Sequence, residues 1–180
     1  GRLNISDIHI LSYDKPENEG LVLSKFIVDV EEQVKKFYYD NVFVLISGDL
    51  VFAPSDESYA KFDKTIVKEL MRVLSIDRNH FIIAPGNHDV SQNVVKDVED
   101  SFLSIFNNKY DEGKFNDLIR KDAQKGILFG KFEAFHRYMV NTMGMDNYSL
   151  QANLFNINDN WSIFSKNTTR SEERFSRNAE

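Results

Sequence analysis

Val42-Phe43-Val44-Leu45-Ile46-Ser47-Gly48-Asp49 is an unbroken apolar run that ends in a glycine turn and a carboxylate. A run of this kind reads as a strand buried on both faces, as in a parallel sheet. The pattern returns at Phe81-Ile82-Ile83-Ala84-Pro85-Gly86-Asn87-His88-Asp89. Upstream, Leu3 to Ile10 is also strand-like and carries Asp7 and His9 as it enters a loop. The intervals between these runs have helical spacing. Apolar residues fall at Leu21, Val22, Phe26, Ile27, Val30, Val34, Phe37 and Tyr38, after a polar stretch from Lys15 to Gly20 that reads as loop. Ser55 and Asp56 supply cap and first-turn residues for a second helix to about Leu74, striped by Phe62, Ile66, Val67, Leu70, Met71 and Leu74. Strand, helix, strand, helix, strand predicts an α/β layer of parallel strands with crossover helices. Ligands of such sheets sit beyond the carboxyl ends of the strands.

Further along, residues 94–142 read as mostly helical, with Phe129, Phe132, Phe135 and Met139 as a core stripe. Asn153 to Ile157 and Trp161 to Phe164 resemble two strands joined by Asn158-Asp159-Asn160, and residues 169–180 form a charged tail. The 180 residues suffice for one domain with a real core, and the 42% hydrophobic content argues for a packed globule. A formal charge of −6 gives no footprint for non-specific nucleic-acid binding, which makes a nucleic-acid partner an unfavoured expectation. Without cysteine, thiolate catalysis and Cys-ligated zinc are excluded. No apolar run is long enough to span a membrane, so no membrane partner is expected. Sequons at Asn4, Asn147, Asn160 and Asn167 read as accidental matches, and a cytoplasmic location is the simpler expectation.

The polar residues of interest lie in three strand-end segments: Asp7-Ile8-His9, Gly48-Asp49 and Gly86-Asn87-His88-Asp89. Carboxylates and imidazoles together bind first-row ions, and a carboxylate can bridge two of them. An Asp and a His two apart on an extended segment point the same way, so both can reach one ion. The glycines let the backbone turn tightly beneath. An Asp-x-His pair or a Gly-Asp pair alone is unspecific, whereas Gly-Asn-His-Asp arises by chance in roughly one chain per thousand of this length. His80 and His136 read as packed or surface imidazoles.

These segments resemble the D-x-H, G-D and G-N-H-D motifs of the calcineurin-like metallophosphoesterases, over roughly Leu3 to Val90. The resemblance implies a metallophosphoesterase-like αββα sandwich and a two-metal site acting on phosphoesters, with phosphatase, phosphodiesterase and cyclic-nucleotide branches left open. It implies two divalent or trivalent ions (Mn, Fe or Zn). Asp7 and His9 would bind the first, Asp49 would bridge both, and Asn87 would bind the second. His88 would stand near the leaving oxygen as general acid or charge partner, with Asp89 orienting it. The family completes its site with a later His and a Gly-His-x-His, but the histidines here are His9, His80, His88 and His136. The second ion would keep two oxygen ligands, too few for tight binding of a transition ion. The expectation is therefore a C-terminally truncated domain over 1–168, with a helical insertion at about 94–142, a tail at 169–180 and little activity. The alternative is a non-catalytic protein-binding module on a degenerate scaffold.

Overall fold

Three short strands form a parallel sheet in chain order: β1 (Arg2–Ile5), β2 (Phe43–Ile46) and β3 (Phe81–Ile83). This computed structural model describes residues 1–10, 16–36, 42–91, 94, 113, 117, 130–158 and 161–167. Helix α1 (Pro16–Lys36) joins β1 to β2. Helices α2 (Asp56–Phe62) and α3 (Lys68–Leu74), fused through a π-helical turn at Asp63–Val67, join β2 to β3. The expected α/β class and its crossover helices are what the structure has. Successive strand residues face opposite sides, so the register Leu3↔Val44, Ile5↔Ile46, Val44↔Phe81 and Ile46↔Ile83 sets these six side chains on one face. That face packs on Ile27 and Val30 of α1 and on Tyr59, Phe62, Ile66, Val67, Leu70 and Leu74 of the second helical segment. Each fully buried side chain of this size contributes about 1.5–3 kcal/mol over its exposed state.

Local chemistry explains the boundaries. Ser55 closes a capping box, its hydroxyl accepting from the Ser58 N–H while the Ser58 hydroxyl accepts from the Ser55 N–H. Two boundaries differ from the sequence reading. β1 stops at Ile5 instead of running on to Ile10, because the chain turns left-handed at Asp7. Helix α1 begins at Pro16, inside the stretch read as loop, because the first helical position needs no N–H and so tolerates a proline, which has none.

The described part of the expected insertion supplies α4 (Glu133–Arg137) and a second π-helical turn, Tyr138–Thr142. Phe132, Phe135 and Met139 are buried, as the stripe predicts; Phe129 and most of residues 94–129 lie outside the described residues. Tyr59 stacks on Tyr138 at 5.2 Å, and the Tyr148 hydroxyl donates to the Ile83 carbonyl at 2.8 Å, tying this segment to the sheet. Strands β4 (Ala152–Asn158) and β5 (Trp161–Lys166) form a separate antiparallel pair, the expected second-sheet strands. The predicted turn residues 159–160 and the tail at 169–180 lie outside the described residues.

Candidate metal centre

The three strand-end loops are laced together before any side chain contributes. Residues 6–10 run beside residues 47–52 through four backbone bonds. Asp7 N–H donates to the Gly48 carbonyl (3.3 Å), His9 N–H to Asp49 (2.9 Å), Ile10 N–H to Leu50 (3.2 Å) and Phe52 N–H to Ile10 (2.9 Å). The third loop is attached by two carboxylates. Asp49 Oδ1 accepts from the His88 N–H at 2.8 Å. Asp89 Oδ2 accepts from Gly86 N–H (2.8 Å) and Leu50 N–H (3.3 Å). Glycine is required at both crossing points. Gly48 has φ 117°, and a Cβ on it would lie 2.8 Å from Gly86 Cα, while a Cβ on Gly86 would overlap the Asp49 side chain.

Asp7, His9 and Asp49 have φ of 55°, 49° and 54°. Left-handed backbone at a non-glycine residue is uncommon and costs on the order of 1 kcal/mol or more. The expectation that Asp7 and His9 share an extended segment is therefore corrected: left-handed turns beyond the end of β1, not strand alternation, bring them together.

His9 Nε2 lies 3.9 Å from Asp7 Oδ1 and 3.8 Å from Asp49 Oδ2, and one ligand atom from each residue falls within 4.8 Å of the others. These gaps are too long for hydrogen bonds. They suit an ion instead, since ligand atoms held about 2.1 Å from a metal lie roughly 3–4 Å apart. Two carboxylates and a neutral imidazole also match the charge of a divalent cation. The residues fit one such ion. Among the described residues, Asp49 and Asn87 are the only groups of the expected second set. Asn87 is exposed at the tip of the third loop, next to His88.

His88 packs edge-on to the His9 ring, with centroids 4.5 Å apart, and lies 5.5 Å from the Phe52 ring at a 32° tilt. Its Nδ1 is 3.2 Å from the Phe52 carbonyl. The expected Asp89–His88 contact is corrected as well. Asp89 is fully buried and spends its carboxylate elsewhere, on Gly86 and Leu50 through Oδ2 and on the Tyr59 hydroxyl through Oδ1 at 3.0 Å. Burial pushes the Asp89 carboxyl up to about 6, against the opposing pull of the three donors. Burial first, and then the Asp89 charge, raises the Tyr59 hydroxyl, which stays a donor. Asp89 thus braces the loops, and the group at His88 Nδ1 is the Phe52 carbonyl.

Tyr59 and Phe52 carry no motif, and no spacing in the sequence singles them out. His80 bonds Asp77 through Nδ1 at 2.9 Å, and His136 Nε2 lies 3.3 Å from the Tyr148 carbonyl, both away from the three loops. The model of the calcineurin-like phosphoesterase family matches residues 3–174, a span that contains all three loops. No curated protein and no solved structure matches the chain.

Proposed function

The chain belongs to the calcineurin-like phosphoesterase family, and on that premise we propose that its strand-end loops form a metal-dependent site for hydrolysing phosphoric esters. The observation that carries this reading is the meeting of Asp7, His9 and Asp49, with ligand atoms facing one another at distances that suit an ion. Asp7 and His9 would hold one ion, Asp49 would be shared, and Asn87 would contribute to a second. Bound divalent ions supply positive charge for the phosphate oxygens and lower the pKa of a water.

The chain's own residues perform the remaining tasks. Asp49 Oδ1 is already engaged by the His88 N–H, which leaves Oδ2 as its free ligand atom and fixes the carboxylate plane. Hydrolysis replaces the alcohol on phosphorus with water, and the departing oxygen needs a proton. Nε2 of a protonated His88 can provide it, being tethered through the opposite ring nitrogen. Asp7 is largely exposed, so the site opens to solvent and to a phosphoester. A non-catalytic module gives no reason for three residues of left-handed backbone whose side chains meet without hydrogen-bonding one another.

The test is Mn²⁺ titration of the chain, followed by hydrolysis of bis(p-nitrophenyl) phosphate and p-nitrophenyl phosphate. Mn²⁺ should bind, and His88→Gln should lower any Mn²⁺-dependent turnover by at least about tenfold without weakening Mn²⁺ binding to the same degree. Failure of the chain to bind Mn²⁺ at all would remove the proposal.

A further inference from the structure

The loop that carries Asp49 continues through Leu50 and Val51 to Phe52, and Phe52 meets His88 twice. The Phe52 carbonyl lies 3.2 Å from His88 Nδ1, and the Phe52 ring lies 5.5 Å from the imidazole at a 32° tilt, while the His9 ring meets it edge-on at 4.5 Å. The carbonyl is itself anchored. Phe52 N–H donates to the Ile10 carbonyl at 2.9 Å, and Ile10 bridges Val51 in parallel fashion. Phe52 is half exposed, at 51%, so its ring is placed where solvent and the imidazole meet.

We propose that Phe52 is the positioning residue of His88: its carbonyl selects the imidazole tautomer and its ring fixes the imidazole plane. A carbonyl oxygen can only accept, so the neutral ring must carry its proton on Nδ1. Nε2 is then bare, and among the described residues no protein group bonds to it. Once protonated, Nε2 is the atom that could give a phosphoester's departing oxygen its proton, a step that rests on the hydrolytic reading above; the tautomer itself does not. The same chain contains a control of opposite sense. His136 Nε2 faces the Tyr148 carbonyl at 3.3 Å, so the same reasoning puts the proton of His136 on Nε2.

Long-range ¹H–¹⁵N spectra of the metal-free chain distinguish the two tautomers, with assignments from His88→Gln and His136→Gln. The expected result is Nδ1–H for His88 and Nε2–H for His136. In Phe52→Ala the carbonyl remains but the ring that holds the imidazole plane toward it is gone, so the Nδ1–H signature of His88 should give way to a mixed, exchange-broadened signal, while the Nε2–H signature of His136 is unchanged and reports an intact fold. Phe52→Tyr should restore it. An Nε2–H form of His88 in the unaltered chain would overturn the proposal, and so would a His88 spectrum indifferent to Phe52→Ala. A parallel Mn²⁺ titration separates this failure from failure of the hydrolytic reading, because the tautomer is measured without metal. Normal tautomers with no Mn²⁺ binding would sink only the latter.

Discussion

Asp49 and Asp63 both sit among polar partners, and they are opposites in every respect that matters. Asp63 is 5% exposed and has ordinary helical backbone, φ −56°. Its two oxygens face the Arg78 guanidinium as a fork, with Lys68 at 3.7 Å and the Tyr138 hydroxyl at 3.5 Å. The hydrogen bond from Arg78 to Asp63 raises the Arg78 pKa, so the guanidinium stays charged. It locks together the two π-helical turns and the 3₁₀ turn at Arg78–His80 that leads into β3. Asp49 has left-handed backbone, one oxygen engaged and the other facing an imidazole at a non-bonding distance. A carboxylate whose oxygens are matched in a relaxed backbone has nothing left to offer a ligand. One that is strained and half satisfied is poised to take one.

If that contrast is right, the two aspartates fail differently. Asp49→Asn keeps an acceptor for the His88 N–H and tolerates left-handed backbone, but it removes the shared charge. Mn²⁺ affinity, read by calorimetry, should fall at least about a hundredfold, with Tm within about 2 °C of the parent. Arg78→Ala should do the reverse. It strands a buried carboxylate, a loss of about 2–3 kcal/mol once the quarter exposure of Arg78 and the remaining Lys68 are allowed for. Tm should drop by about 5–10 °C, with Mn²⁺ affinity changed by less than about threefold. A large metal effect from Arg78→Ala would erase the distinction between the two centres.

Asp89 lies between these extremes, buried and bonded like Asp63 yet within the loop cluster. Tyr59→Phe tests on which side it belongs. The substitution removes one donor from a buried carboxylate and nothing else, costing about 1–2 kcal/mol, or a Tm fall of about 3–6 °C. Unaltered Mn²⁺ binding would class the Tyr59–Asp89 bond with the Arg78–Asp63 pair. Weakened binding would show that the brace holds the ligands in place.

The sequence made one of these centres readable and hid the other. Gly48-Asp49 and Gly86-Asn87-His88-Asp89 each follow an apolar strand, so local composition announces both the strand and the turn, and parallel order follows from the helices between. Asp63 sits between Phe62 and Lys64 on a helix, where any polar residue looks like solvent-facing surface. Its partner is fifteen residues away in a turn that no pattern marks. The same limit concealed Tyr59 beneath Asp89 and Phe52 beside His88, because a side-chain contact across two loops leaves no periodicity. Backbone hand was equally invisible. An Asp-x-His pair reads as extended, and the left-handed turns that bring Asp7 to Asp49 arise only when residues 6–10 bond to residues 47–52.

The smallest expected effect is the most direct probe of that strain. Asp7 is largely exposed, has φ 55°, and in the metal-free chain places a second carboxylate beside Asp49, both facing His9 Nε2. Asn accepts left-handed backbone more readily than most residues and carries no charge. Asp7→Asn therefore relieves both penalties while losing almost no packing, and the metal-free protein should melt about 1–2 °C higher. Its Mn²⁺ affinity should nevertheless fall, because the amide oxygen is a poorer ligand than a carboxylate. A saturated pair such as Arg78–Asp63 cannot gain stability by losing one of its charges, whereas a ligand set held ready for a cation can. A lower Tm for Asp7→Asn would mean that Asp7 is held by contacts within the protein, and the loops would then be a structural knot and not a set of metal ligands.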